Sequence, residues 1–327
     1  MSQHPRRAAR RIAGLGAAAG LALAAALTVP AVAGSAAAQP APMAAIGPGV
    51  QIATPVTGGA ELCTANFLYT PVAGQDGHRD GDGAEYQSAP AGKLYLGAAA
   101  HCMAGEQARS SVDGCVEPVM PEGTAIGVVG RDGKTYSGRL AYNSWAAMKE
   151  QGETDPRLCL YNDFSLIELS PEAAAVADPT VPGFGGPVAL DTDGTRSGET
   201  VYSFQPNQLG GTPYKQGLGL GQPEGPRTHV VATVPPGVPG DSGAGYLDSR
   251  GRAFGLLSSL MLPTSTNGVT DMARALEYAA EHGSIGAVDL VPGTRPFTPG
   301  VLSLTETPSG PALPSQPLPE LTPAPLG

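Results

Sequence analysis

Basic side chains are scarce in this sequence. Lys and Arg number 19 against 29 Asp and Glu, a formal net charge of −10, so there is no basic footprint for nucleic acid. Aromatic residues make up only 5% of the chain, with a single Trp. That is too few for a platform on which bases stack. Four Cys cannot make a disulfide-dense miniature scaffold, although an even number allows two bridges in an oxidising compartment. Charged residues are also sparse, at 15%. What the 327 residues hold in excess is Gly (46) and Pro (33), a composition that breaks long helices and suits many short strands joined by turns.

The two ends read differently from the middle. Arg6, Arg7, Arg10 and Arg11 precede an uncharged Ala-, Gly- and Leu-rich run over residues 12–33. Pro30 then comes before two small-x-small sites, Ala31-Val32-Ala33 and Ala36-Ala37-Ala38. Residues 1–38 are therefore expected to be an export signal. The run is also long enough for a retained membrane anchor, but the two cleavage-type sites favour removal. The pair Arg10-Arg11 is only a weak twin-arginine signal, because the residues after it are weakly hydrophobic. Removal takes away four Arg and no acid, leaving a formal charge of −14. Such an acidic surface is expected to keep the secreted chain soluble and monomeric and off anionic membranes. At the other end, residues 292–327 hold ten Pro. Pro blocks helix and sheet ladders, so this tail is expected to be disordered or extended.

Between them, residues 39–291 form one expected domain. No run of 18 apolar residues occurs in it. Short β-type runs recur at 67–69, 93–96, 125–129, 138–142, 164–169, 200–204, 229–234 and 253–257, which points to an all-β sandwich or a pair of barrels. One helix is expected after Thr270 or Asp271 as cap, with Met272, Leu276 and Ala279 on one face, Gly283 as a left-handed stop, and a strand over 285–290. Asp76, Asp80 and Asp82 alternate in a Gly-rich stretch. They read better as a solvated hairpin loop than as a calcium loop, since no bidentate Glu follows at the right offset.

Three local patterns carry chemistry: Ala99-Ala100-His101-Cys102, Asn162-Asp163-Phe164-Ser165-Leu166-Ile167, and Pro239-Gly240-Asp241-Ser242-Gly243-Ala244-Gly245. Singly, each has a bland reading as a packed His, a turn Asp and a tight turn. In the order His, Asp, Ser, each beside a strand, they make a coherent set. A Ser hydroxyl is a weak nucleophile until a base takes its proton, and His, with an ordinary pKa of about 6.5, suits that task. A buried carboxylate fixes the His tautomer. The Gly-x-Ser turn offers the amides of Gly240 and Ser242 to an oxyanion, and losing one such donor costs about 3–4 kcal/mol of barrier stabilisation.

These motifs resemble the chymotrypsin-type serine peptidases, in particular the secreted bacterial members of the streptogrisin kind. Cys63-Thr64-Ala65-Asn66-Phe67, Gly255-Leu256-Leu257-Ser258 and the closing segment from Gly268 to Leu276 extend the resemblance over about residues 49–291. It implies two packed six-stranded antiparallel β-barrels with a C-terminal helix and a site in the crevice between them. It further implies His101, Asp163 and Ser242 as triad, Gly240 and Ser242 as oxyanion donors, and a protein or peptide substrate without a cofactor. Four Cys allow three pairings. The pairing Cys63–Cys102 with Cys115–Cys159 would staple the segments of His101 and Asp163, and the absence of a Cys-x-x-Cys pattern argues against a metal site.

The match has departures. Ala244 stands where the family has Gly, and the second barrel has no Cys to staple the pocket wall. There is no Ile-Val-Gly-Gly start, and no room for a long pro-region between Gln39 and Gly49. The family's pocket base falls near Pro236, and the stretch 230–240 contains no acid, so a preference for Lys or Arg is not expected. Ser258 and Leu260 would form the wall, and Leu260, where Gly usually leaves the pocket open, would narrow it toward small apolar side chains. Two competing readings are a catalytically weak or inactive secreted binding module on the same fold and an α/β-hydrolase esterase. The latter needs Gly-x-Ser-x-Gly between strand and helix, whereas here Ala244 and a strand follow.

Overall fold

The computed structural model describes residues 43–72, 92–105, 113–207, 212–261 and 264–300. The expected signal at 1–38, the Asp76–Asp80–Asp82 loop and the tail beyond residue 300 lie outside them. The described chain is mostly β, folded as one closed six-stranded barrel and a second, eight-stranded sheet.

The first sheet takes β1 (Gln51–Val56), β2 (Gly59–Thr64), β3 (Leu68–Pro71), β4 (Tyr95–Ala98), β5 (Ala125–Val129), β6 (Thr135–Asn143) and β7 (Ser165–Leu169). Three short helices interrupt or follow its last strands: α1 (Ser144–Glu150), α2 (Pro156–Tyr161) and α3 (Pro171–Ala174). The second sheet takes β8 (Thr200–Phe204), β9 (Tyr214–Gly219), β10 (Thr228–Thr233), β11 (Gly245–Leu247), β12 (Ala253–Met261) and β13 (Thr266–Asp271). The chain then forms α4 (Met272–His282) and β14 (Val288–Leu290).

The second sheet closes on itself in the order β10-β13-β12-β11-β8-β9, a six-stranded barrel. Its interior is small, filled by Val201, Val231, Ala244, Tyr246, Phe254, Leu257 and Val269. The first sheet is eight-stranded, β14-β3-β4-β7-β6-β5-β1-β2, rather than a closed ladder of six. The difference has a simple origin. β2 runs on into β3, and the amide of Asn66 between them bonds to Gly97 of β4, so the chain itself joins one end of the ladder to the other. β14 adds to the outer edge of β3 after the helix α4.

Expected strands 125–129 and 200–204 coincide with β5 and β8. Asp271 caps α4 by accepting from the Arg274 amide at 2.8 Å. Gly283 ends the helix in an extended conformation, φ −89°, not as the left-handed stop expected. Of the Pro-rich segment, residues 292–300 run without regular structure along the second half of the molecule. Phe297 packs edge-on against Tyr202, and Thr298 donates to Phe184. Among the described residues, no helix is long and apolar enough to cross a membrane.

Asp271 also receives His229, whose Nε2 lies 2.9 Å from Oδ2 while its Nδ1 meets Thr195 Oγ1 at 2.7 Å. His229 is 0% exposed, so this second His–Asp pair is a structural tie between β10 and α4. Asp271→Ala removes a helix cap, worth about 1 kcal/mol, and leaves a buried imidazole N–H unpaired, worth about 1–3 kcal/mol. The variant is expected to lose about 2–4 kcal/mol in denaturant unfolding, and Asp271→Asn to lose less because its side-chain oxygen still caps.

Candidate active site

The His segment follows β4. Residues His101–Met103 form a single 3-10 turn, and Cys102 within it is bonded to Cys63 of β2. The second bridge, Cys115–Cys159, ties the chain after that turn to α2, which ends two residues before Asp163. Both pairings are those the resemblance implied.

The junction of β6 and α1 holds the two segments together. Asn143 caps α1 through the Trp145 amide and donates from Nδ2 to Ala100 O at 3.1 Å. Ser144 Oγ donates to Asn162 O at 2.6 Å and accepts from Phe164 N at 3.0 Å. The backbone on either side of Asp163 is thus clamped by one hydroxyl. Ser165 Oγ reaches Ala99 O at 3.1 Å, and the Trp145 ring lies 6.4 Å from that of His101, tilted by 41°.

These clamps aim Asp163 at His101. Asp163 Oδ2 is 2.7 Å from His101 Nδ1, and Oδ1 accepts the His101 amide at 2.9 Å. Ser258 Oγ, from β12 of the second barrel, donates to Oδ2 at 2.6 Å. The Asp163 side chain is 1% exposed and that of His101 is 21% exposed. Burial alone would push Asp163 up, but the His101 charge and hydrogen bond, then Ser258 and the His101 amide, together hold it below the usual carboxylate range. Burial would also lower His101, and the charge and hydrogen bond of Asp163, with Glu61 adding, outweigh it, so the imidazole sits above 6.5.

The Ser242 turn is pressed onto this segment. Thr64 N donates to Ser242 O at 2.9 Å and Thr64 Oγ1 to Gly240 O at 2.7 Å. Gly243 leaves no room for a side chain, since a Cβ there would meet Thr64 O and Ala99 N. Gly240 has φ +95°, and a Cβ would collide with the Asn207 side chain, whose Nδ2 donates to Pro239 O. The amides of Asp241, Gly243 and Ala244 are each spent on backbone carbonyls. Those of Gly240 and Ser242 make no backbone hydrogen bond among the described residues. The Ser242 hydroxyl forms no hydrogen bond to His101 among the described residues; such contacts often tighten only when a substrate is bound.

Asp241 is buried behind the turn, accepting from the amides of Val238 and Asn207. Burial pushes it up to about 6, opposed by those amides and by the charge of Lys215 on β9. Lys215 is 1% exposed and burial lowers it, with Asp241 opposing. The two charges offset each other's desolvation beneath the turn.

The expected pocket residues fall as follows. Pro236 is half-buried after the cis Val234–Pro235 bond. The Ser258 hydroxyl faces Asp163 rather than an open wall. Leu260 is 37% exposed and pairs across the ladder with Asn267. Sequence reasoning missed Asn143, Ser144, Trp145, Lys215 and the Ser258–Asp163 bond. Only the Asn-Ser start of α1 carried a local signal, as an N-cap.

No family model matches the chain, and no curated protein does. Among solved structures it is similar to Thermobifida fusca protease A, at 15% identity and TM-score 0.44, covering 76% of this chain and 100% of that one. It is also similar to a glutamic acid-specific serine protease, at 15% identity and TM-score 0.42, covering 75% and 100%. A Nocardiopsis protease aligns at 13% identity and TM-score 0.39, covering 74% and 97%. Likeness of this size says nothing of the chemistry of this chain.

Ser258→Ala deprives a buried carboxylate of one donor. It is expected to cost about 1.5–3 kcal/mol at neutral pH. A depressed carboxyl stabilises the fold above its unfolded pKa and loses that contribution as pH falls through the folded one. Losing Ser258 raises the folded pKa, so acid unfolding followed by circular dichroism should begin at higher pH in the variant.

Proposed function

We propose that this chain is a secreted serine endopeptidase that cleaves peptide bonds through an acyl-enzyme intermediate. The observation that carries the reading is the 2.7 Å contact between His101 Nδ1 and Asp163 Oδ2, set beside the turn that bears Ser242. Asp163 takes the Nδ1 proton in a hydrogen bond, which leaves the Nε2 lone pair as base. His101 removes the Ser242 proton as Oγ attacks the substrate carbonyl. The oxyanion of the tetrahedral intermediate accepts from the amides of Gly240 and Ser242. His101 then gives its proton to the leaving amine, and the same imidazole activates the water that releases the acyl group.

The substrate is a protein or peptide, and cleavage is not trypsin-like, since residues 230–240 hold no acid. The signal-like residues 1–38 and the two disulfides support export as a soluble monomer to an oxidising compartment. The competing reading, a protease-fold binding module, draws on the missing Ser242–His101 hydrogen bond.

A fluorophosphonate probe decides between them. Labelling of the wild type that vanishes in Ser242→Ala supports the peptidase, and a wild type that stays unlabelled supports the binding module. The pH profile gives a second check. Asp163 holds the His101 pKa above 6.5, and only the neutral imidazole is a base. Activity as kcat/KM is therefore expected to fall as pH drops, with a midpoint above 6.5. A midpoint below 6 in the pH–rate profile would contradict the assignment of His101.

A further inference from the structure

A cavity of about 380 Å³ opens where residues 43–44, 178–185 and 295–298 meet around Arg131. Its volume lies in the range of small-molecule sites, about 300–1,000 Å³. None of His101, Asp163, Ser242 or Ser258 lines it. The charged lining is Arg131, Arg295 and Asp178, and Met43, Pro182, Phe184 and Pro296 supply apolar wall.

Donors on this lining outnumber acceptors. Arg131 is half-buried. Of the five N–H groups of a guanidinium, one on Nη1 goes to Ala44 O at 2.9 Å and one on Nη2 to Pro48 O. Both acceptors are uncharged. Among the described residues neither Arg131 nor Arg295 stands in an ion pair. The Asp178 carboxylate is taken up by the Thr180 amide at 2.8 Å and by Thr294 Oγ1 at 3.1 Å. Burial accordingly pushes Arg131 down to about 10, and the opposing charges of Asp178 and Tyr214 do not restore it. The Phe184 amide is a second donor. Phe184 is 2% exposed, yet its amide makes no hydrogen bond among the described residues, whereas buried backbone amides are nearly always paired.

The charges select the acceptor. Two guanidinium groups against one carboxylate leave the lining one positive charge. A monoanion cancels it, while a dianion brings a second negative charge toward Asp178. A carboxylate has one oxygen for a guanidinium and one for an amide, and the apolar wall takes the carbon body behind it.

We infer that this cavity binds a small monocarboxylate with an apolar body, held by Arg131 and the Phe184 amide, with the exposed Arg295 at the mouth. The site stands apart from the peptidase reading, because no residue of the candidate active site takes part. The carboxylate is carried either by a free molecule or by Glu306 or Glu320, which follow the cavity residue Thr298 in the chain.

The test titrates 3-phenylpropionate into the full chain and into its double variant Glu306→Gln/Glu320→Gln, with nitrogen-15 NMR of the amides. The Phe184 amide is expected to shift and saturate. The neutral 3-phenylpropionamide and the dianionic phenyl phosphate should each bind roughly 10-fold more weakly or worse, the worth of a charge-assisted hydrogen bond. Arg131→Gln should weaken the carboxylate by a similar factor. A Phe184 amide that stays still in both proteins overturns the inference, as does an amide or phosphate that binds as tightly as the carboxylate. Should Arg131→Gln not fold, the Phe184 shift and the ligand selectivity decide alone. If the double variant shifts Phe184 before any addition and binds 3-phenylpropionate more tightly, the site holds a glutamate of the chain. If Phe184 is the same in both proteins before addition and responds equally, the site takes a free carboxylate. Either result supports the site.

Discussion

The carboxylate of Asp163 is the point on which the two halves of this molecule converge. It stands at the head of β7 in the first sheet and takes two donors from His101 and one from Ser258 of the second barrel. A buried carboxylate without partners is costly, and removing one partner from a buried charge is more damaging than never having had it. The barrels are therefore held in register at the site by a charge whose burial is tolerable only when both sheets supply their donors. Fold and candidate chemistry meet in one side chain.

The surroundings follow from that requirement. Ser144 clamps the backbone around Asp163, Asn143 and Ser165 hold the turn before His101, and the Cys63–Cys102 bridge fixes that turn to β2. Across the interface, Thr64 makes two hydrogen bonds to the Ser242 turn. Behind the turn, Asp241 and Lys215 are both buried and offset one another. The left-handed Gly240 and the side-chain-free Gly243 let the turn lie flat against the first barrel. In this arrangement the amides of Gly240 and Ser242 make no backbone hydrogen bond among the described residues.

Strands such as β5 and β8, the α4 helix and the three chemical motifs were legible in the sequence because each has a local signature, whereas β1, β2, β9 and β13 were not among the expected runs. β5 and β8 are β-type runs bounded by turn residues, Asp271 is an N-cap, and the two glycines of Gly-Asp-Ser-Gly mark a tight turn. The helices α1 and α2 were not legible. They span seven and six residues, too short for a periodic pattern, and depend on packing by Trp145 and the Cys115–Cys159 bridge. The role of Ser258 was hidden for another reason. It acts on a residue 95 positions away, so only tertiary contact reveals it. Pro292 looked like the start of a tail, yet Phe297 carries enough apolar area to dock on Tyr202.

The account stands on Asp163 fixing both the tautomer and the basicity of His101. The most direct measurement is nitrogen-15 NMR of His101 across pH in the wild type and in Asp163→Asn. The account predicts a proton on Nδ1 in the neutral wild-type ring and a titration midpoint above 6.5 that falls in the variant. A midpoint and tautomer that are the same in both proteins would contradict it.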